Sequence, residues 1–417
     1  MDKITTAIIG GGASGLVLGA TVQGSMLGKG NTVLFERGNR LGRKLSATGN
    51  GQGNVTNLAA TKTEYFSLER AGADRAQEIV RAYDDKSLKE FFSSLGVLLT
   101  ADERGRVYPA GRQASALTDA LRFFVEERGL DVRLNSTVTD IVQKDGGYVL
   151  TVECEGETKS VFARSVVLSA GGKAAKNFGT DGLGYALAQK LGHTITPLYP
   201  SLVQLKTDTA HIKTLKGIRI NDAVVSAFID GERRAQVQGD LIFTDYGVSG
   251  DAIFRLSAFL ADKIQQGGVT LSVDILPELS QDKILLALQK KKKAFPKMPS
   301  AELLFGIVNN QVGRAVMRLA NDNAERAAEL VKAFPLRVVG SLGFDYAQVT
   351  KGGIPLSETD ETLQSRFAKG VYFTGEILDV DGQCGGFNLQ WAYSSARVVG
   401  KALYEKNKNG CKERGQV

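Results

Sequence analysis

Apolar positions recur along this chain with two different periods. Residues 5–9 are a short β-branched and apolar run that glycines follow at once. From Ala13 to about Leu27 the residues are small and apolar at helical spacing, and residues 31–35 predict a second strand ending at Glu36. The chain therefore opens β-α-β. Residues 74–95 read as a helix with Ile79, Tyr83, Leu88, Phe91, Phe92 and Leu95 on its apolar side. Residues 115–128 read as another, with Leu117, Leu121, Phe124 and Val125 on one face. Residues 131–142, 148–153 and 159–162 alternate as strands, the second preceded by the turn Asp145-Gly146-Gly147. Residues 165–168 form an apolar run that stops at Ala170-Gly171-Gly172.

The texture changes after Gly192. Residues 194–276 predict short alternating strands, interrupted by a helix over 250–264. Residues 280–334 read as helical and lysine-rich. At Gly370 a strand-glycine-helix pattern returns, with a strand over 371–374 and a helix over 388–406. The expected fold is α/β: a Rossmann-like dinucleotide domain (1–192 and 345–417) split by an inserted β-rich substrate domain (193–279 and 335–344). A small helical subdomain (280–334) rides on that insertion. There is no internal repeat.

Composition narrows the chemistry. Glycine reaches 48 of 417 residues while proline is only 8, so the excess belongs to folded backbone and not to linkers. Three cysteines (Cys154, Cys384, Cys411) without a CxxC exclude a disulfide framework and fit a reducing compartment. Two histidines, His193 and His211, make no metal-ligand cluster, so no metal is expected. No stretch is long and apolar enough for a membrane span, and the expected location is cytoplasmic. The net charge is +7, with a four-lysine run at 290–293 and a basic tail. Aromatics do not interleave with these lysines, which weighs against a nucleic-acid groove.

Gly10-Gly11-Gly12-Ala13-Ser14-Gly15 fits G-x-G-x-x-G between strand and helix, and Glu36 closes the next strand about 20 residues on. Gly10 permits the turn, Gly12 lets backbone approach a pyrophosphate, and Gly15 lets helix and strand pack. The helix start at Ala13 and Ser14 offers unpaired N–H groups to phosphate. Glu36 suits a ribose hydroxyl and disfavours a 2′-phosphate. A simple NAD enzyme would continue with another βα unit. Here Arg37, Arg43 and Lys44 lead instead into the glycine- and amide-rich stretch Thr48-Gly49-Asn50-Gly51-Gln52-Gly53-Asn54. That stretch can line an extended cofactor, with Arg43 and Lys44 able to reach its pyrophosphate.

Residues 43–57 resemble the signature loop of a family of bacterial FAD flavoproteins. Its members have been assigned as aminoacetone oxidases and as flavin reductases acting on unsaturated oxo bile acids. The resemblance covers nearly the whole chain, through residues 108–116, 170–201, 243–250, 352–353 and 370–400. It implies FAD, with Ala170 and Gly171 beside it and Val138 meeting adenine. It also implies that residues 375–389 approach the flavin. There Gly375-Glu376 places a carboxylate near ribityl hydroxyls, with Asp381 its rival. Gly385-Gly386 open a helix whose first residues, Asn388 and Leu389, face the flavin edge. Two positions depart from the family pattern: Gln52-Gly53 stands where Arg-Cys is common, and Asp245 where His is frequent.

Tyr246 and Asp245 are the acid/base candidates of the insertion. His193 reads as structural and Cys384 as a packed small residue. With no second dinucleotide fingerprint, electrons leave to oxygen or arrive from a transient NAD(P)H. The expected activity is FAD-dependent oxidation of a small amine with oxygen as acceptor; the alternative is NAD(P)H-dependent reduction of an unsaturated ketone or steroid-like substrate. A flavoprotein that modifies RNA is the reading from another class.

Overall fold

The computed structural model describes residues 1–24, 31–63 and 65–412. Residues 25–27, the end of the first expected helix, lie outside it, as do Arg414 of the basic tail and the side chain of Cys411. The chain divides into two compact units, one of Met1–Tyr199 with Val349–Val417, the other of Pro200–Gln348.

The first unit is Rossmann-like. Its sheet runs Asp131–Arg133, Thr32–Phe35, Asp2–Ile9, Glu157–Leu168, Gly147–Cys154, Ser136–Lys144. The first four strands pair in parallel, with Ile9 opposite both Phe35 and Leu168. Strand Glu157–Leu168 is the pivot. The expected strand over 159–162 and the apolar run 165–168 are one element, because a continuous ladder holds both. One of its edges pairs with Asp2–Ile9 through residues 161–168. The other pairs antiparallel with Gly147–Cys154 through residues 157–163, then parallel with Val371–Phe373 through 166–168. The core fills with Ile8, Leu16, Leu34, Phe35, Phe373 and Trp391, all fully buried. Helices Ala13–Gly24 and Phe387–Lys412 cross closely. A Cβ on Gly400 would lie 2.7 Å from Thr21 Cγ2.

Two expected elements are broken. The helix over 74–95 is Arg70–Ala82 and Asp85–Ser94, because Asp84 accepts from Ser87 N at 2.9 Å and starts a new helix. The strand over 131–142 is Asp131–Arg133 and Ser136–Lys144, separated where Asn135 takes a positive φ of 50°.

The second unit is a closed barrel of six strands. Its order is Leu205–Thr207, Gly247–Ser249, Glu232–Phe243, Arg219–Ile229, Val269–Asp274, Phe334–Ser341, and the last pairs with the first. Its separate core holds Phe243 and Phe334 edge to face at 6.1 Å. Helices Gln281–Ala294, Asn310–Leu319 and Ala324–Lys332 connect the last two strands, where one lysine-rich helical stretch was expected. Within the lysine run, Lys291 Nζ caps the carbonyls of Leu303 and Phe305, so that residue is structural.

Candidate cofactor site

The site begins at the turn after the first strand. Gly10 has φ 106°, and a Cβ there would lie 2.6 Å from Ser169 O. A Cβ on Gly15 would lie 2.0 Å from Gly10 O, so no larger residue fits either position. At Gly12 a Cβ would meet nothing within 4 Å. That open backbone leads into helix Ala13–Gly24, whose first-turn amides lack intrahelical partners. Leu16 N makes the first such bond, to Gly12 O at 2.9 Å.

Glu36 does more than the fingerprint implies. Its Oε2 accepts from Gly11 N at 2.8 Å and its Oε1 from Gly38 N at 2.7 Å. It fastens the glycine turn, and each oxygen keeps a second acceptor direction for a hydroxyl. Val138 lies in strand Ser136–Lys144, which starts against this acid because Ser136 N donates to Glu36 O at 2.9 Å.

The three cations at the start of this stretch have protein partners. Arg37 pairs with Asp181 at 2.7 Å, Arg43 Nη2 donates to Asn177 O at 2.8 Å, and Lys44 pairs with Glu376 at 2.7 Å. In the following loop, Gly49, Asn50, Gly51 and Gly53 all take positive φ. Thr48 Oγ1 closes a local turn onto Leu45 O at 2.7 Å. Asn54 is buried and donates its amide to Thr56 O and Val107 O, both at 3.0 Å. Its amide nitrogen is therefore occupied by backbone.

The C-terminal motif closes on the same unit. Gly171 takes φ 71° just beyond Ala170 and the pivot strand. Gly375 has φ 74°, and its Cβ would fall 2.6 Å from Ser14 Oγ. The Asn388 side chain holds the preceding loop. Its Oδ1 accepts from Gly382 N and its Nδ2 donates to Gly382 O, each at 2.9 Å. Gly386, with φ 100°, is pressed against protein, since its Cβ would lie 2.4 Å from Thr56 O. The backbone amides at the start of Phe387–Lys412, Leu389 among them, remain the donors of that helix end. Asp381 is buried and exchanges backbone hydrogen bonds with Phe66.

Asp379 had no sequence signal. It is fully buried, and its Oδ2 accepts from Ser67 Oγ and Leu68 N at 3.0 Å. Burial raises its pKa, while those two donors and Lys351 oppose the rise.

In the barrel unit, Asp245 is an exposed carboxylate 2.7 Å from Lys216 Nζ, which lowers its pKa. Tyr246 is partly buried, and desolvation raises its pKa. Among the described residues no helix is long and apolar enough to cross a membrane.

A glycine cradle with an open backbone position, a carboxylate with spare acceptor sites and two helix starts fit a dinucleotide carrying a polyol. The chain is a flavoprotein oxidoreductase whose cofactor is FAD. It belongs to the HI0933-like protein Rossmann domain family, which matches residues 4–402. It is 33% identical to the 3-dehydro-bile acid delta(4,6)-reductase of Clostridium scindens, over 97% of this chain and 100% of that one. It is 25% identical to the ribosomal RNA dihydrouridine synthase of Escherichia coli, over 97% of this chain and 98% of the relative. Among solved structures, the 3-ketosteroid delta1-dehydrogenase of Sterolibacterium denitrificans matches with a TM-score of 0.53 and 13% identity, covering 97% and 100% of the two chains. That likeness is one of fold.

Proposed function

We propose that this protein reduces a carbon–carbon double bond conjugated with a carbonyl, on a steroid-like small molecule, using electrons from NAD(P)H. The observation that carries this reading is the full-length 33% identity to a bile-acid reductase. The second relative supports the reaction class, because making dihydrouridine also saturates a double bond conjugated with a carbonyl. Both names describe reductions, which moves amine oxidation with oxygen behind this reading.

Reduced FAD, when bound, supplies the hydride. Adding hydride to the carbon β to the carbonyl moves an electron pair toward oxygen, and the α-carbon then takes a proton. The chain must orient FAD and deliver that proton. Gly10, Gly12, Gly15 and Glu36 hold the adenosine and pyrophosphate end, with Val138 at the adenine. The loop over 375–386 holds the ribityl end. Of the two acid/base candidates of the barrel unit, Tyr246 keeps its proton at neutral pH because desolvation raises its pKa. Asp245 pairs with Lys216 at the surface, which lowers its pKa.

The test is anaerobic. NADPH or NADH should bleach the yellow absorbance of the holoprotein, and an unsaturated oxo steroid should restore it. Bleaching by small amines, with no response to the unsaturated ketone, overturns the proposal. The second reading is reduction of uridine in RNA, which the 25% identity favours. Recolouring by RNA in place of the steroid would select it.

A further inference from the structure

One carboxylate in the FAD unit gathers three other stretches of chain. Glu376 Oε2 pairs with Lys44 Nζ at 2.7 Å, and Glu376 Oε1 accepts from Thr350 N at 2.9 Å. Thr350 Oγ1 accepts from Lys173 N at 2.8 Å and from Ala174 N at 3.0 Å. Lys44 Nζ also lies 3.4 Å from Ala174 O. Gly172 makes the convergence sterically feasible. A Cβ there would fall 2.7 Å from Glu376 Oε1 and 2.5 Å from Thr350 Oγ1.

The carboxylate is not used up by this hub. The Glu376 side chain remains 20% exposed and that of Lys44 24%. A carboxylate offers about four acceptor directions, and the protein donors described take two. Two oxygens, each with a direction to spare, match hydroxyls on neighbouring carbons. The ribityl chain of FAD has that chemistry, whereas a pyrophosphate, being an acceptor itself, does not.

We infer that Lys44 is a positioning residue that aims Glu376 at the ribityl hydroxyls of FAD, with Thr350 as the second support. The inference rests on the reading that residues 375–386 hold FAD. Lys44 thus acts through Glu376, and not directly on the pyrophosphate that its sequence position suggested. Without the ammonium, Thr350 N alone holds the glutamate side chain, and its hydroxyl contacts lose their direction.

The test uses the holoprotein and the rate at which diluted samples release FAD, followed by flavin fluorescence. Melting temperature is measured beside it. Glu376→Gln and Lys44→Met should each speed release about tenfold, the scale of one lost charge-assisted hydrogen bond. The double variant should release no faster than the quicker single one, and Lys44→Arg should restore most of the retention. Effects that multiply in the double variant overturn the positioning role. A lowered melting temperature with release unchanged in Lys44→Met overturns it too, and leaves the hub purely structural. If Glu376→Gln alone leaves release unchanged, the placement of FAD at 375–386 fails, and this inference with it.

Discussion

Ser365 Oγ lies 2.7 Å from His193 Nε2 while accepting from Phe367 N at 3.1 Å and Ala368 N at 2.9 Å. With two N–H groups pointing at its oxygen, the serine gives its own proton to Nε2. Nδ1 then carries the ring hydrogen and donates to Glu358 Oε2 at 2.8 Å. The ring is fully buried, and Phe373 stands edge-on to it at 4.7 Å. Both ring nitrogens are satisfied in the neutral form only. Burial, opposed by Glu358, lowers the pKa.

This fixes a sign for the acid response. The folded His193 binds its proton at lower pH than the unfolded one, which titrates at about 6.5. Stability is therefore lost as pH falls from that value through the folded pKa. The urea midpoint should drop between neutral and mildly acid buffer, and drop less in His193→Gln. Equal drops would remove His193 from the response.

Glu36 gives a graded expectation. Glu36→Gln keeps one acceptor oxygen but turns an N–H donor toward the other amide. Glu36→Ala leaves both Gly11 N and Gly38 N without their acceptor, at about 1–3 kcal/mol for each donor left unsatisfied. FAD remaining after gel filtration should fall from wild type to Gln to Ala. Equal retention in the two variants would mean that the carboxylate does not support the cofactor turn.

Gly386 separates packing from cofactor contact. Gly386→Val forces a β-branched residue to φ 100° and into Thr56. The strained backbone alone costs on the order of 1–3 kcal/mol. The melting temperature should fall clearly, and a variant as stable as wild type would contradict the contact. A flavin potential that stays put in the same variant would assign the glycine to packing alone.

The departure at Gly53 has a structural counterpart. Its φ is 78°, and a Cβ would sit 2.8 Å from Ala114 Cα. Gly53→Cys, which restores the common family residue, should lower stability by about 1–3 kcal/mol. Gln52 is exposed, so Gln52→Arg should leave the denaturation midpoint unchanged. A stable Gly53→Cys would show that the start of helix Ala114–Glu127 yields easily.

The first βαβ and the glycine fingerprint were legible because their contacts are local and their period is regular. The second bond set of Glu36 was not, since the same residue type serves a ribose or a backbone turn. His193 read as structural, but its partners are 165 and 172 residues away, beyond any spacing rule. The barrel was visible as alternating strands, while its closure depends on Lys206 meeting Gly340, a register that alternation does not encode. The break at Asp84 carried a signal, an aspartate three residues before Ser87, that the surrounding apolar period masked.

The pivot strand has a consequence for synthesis on the ribosome. Residues 166–168 lie ready early, yet their neighbours 371–373 emerge only after the entire barrel unit has been made. Until then the nascent first unit carries an unpaired edge and lacks the long closing helix. The later unit is therefore free to fold before the earlier one is complete, and a message truncated after residue 348 yields a barrel tethered to a half-built partner.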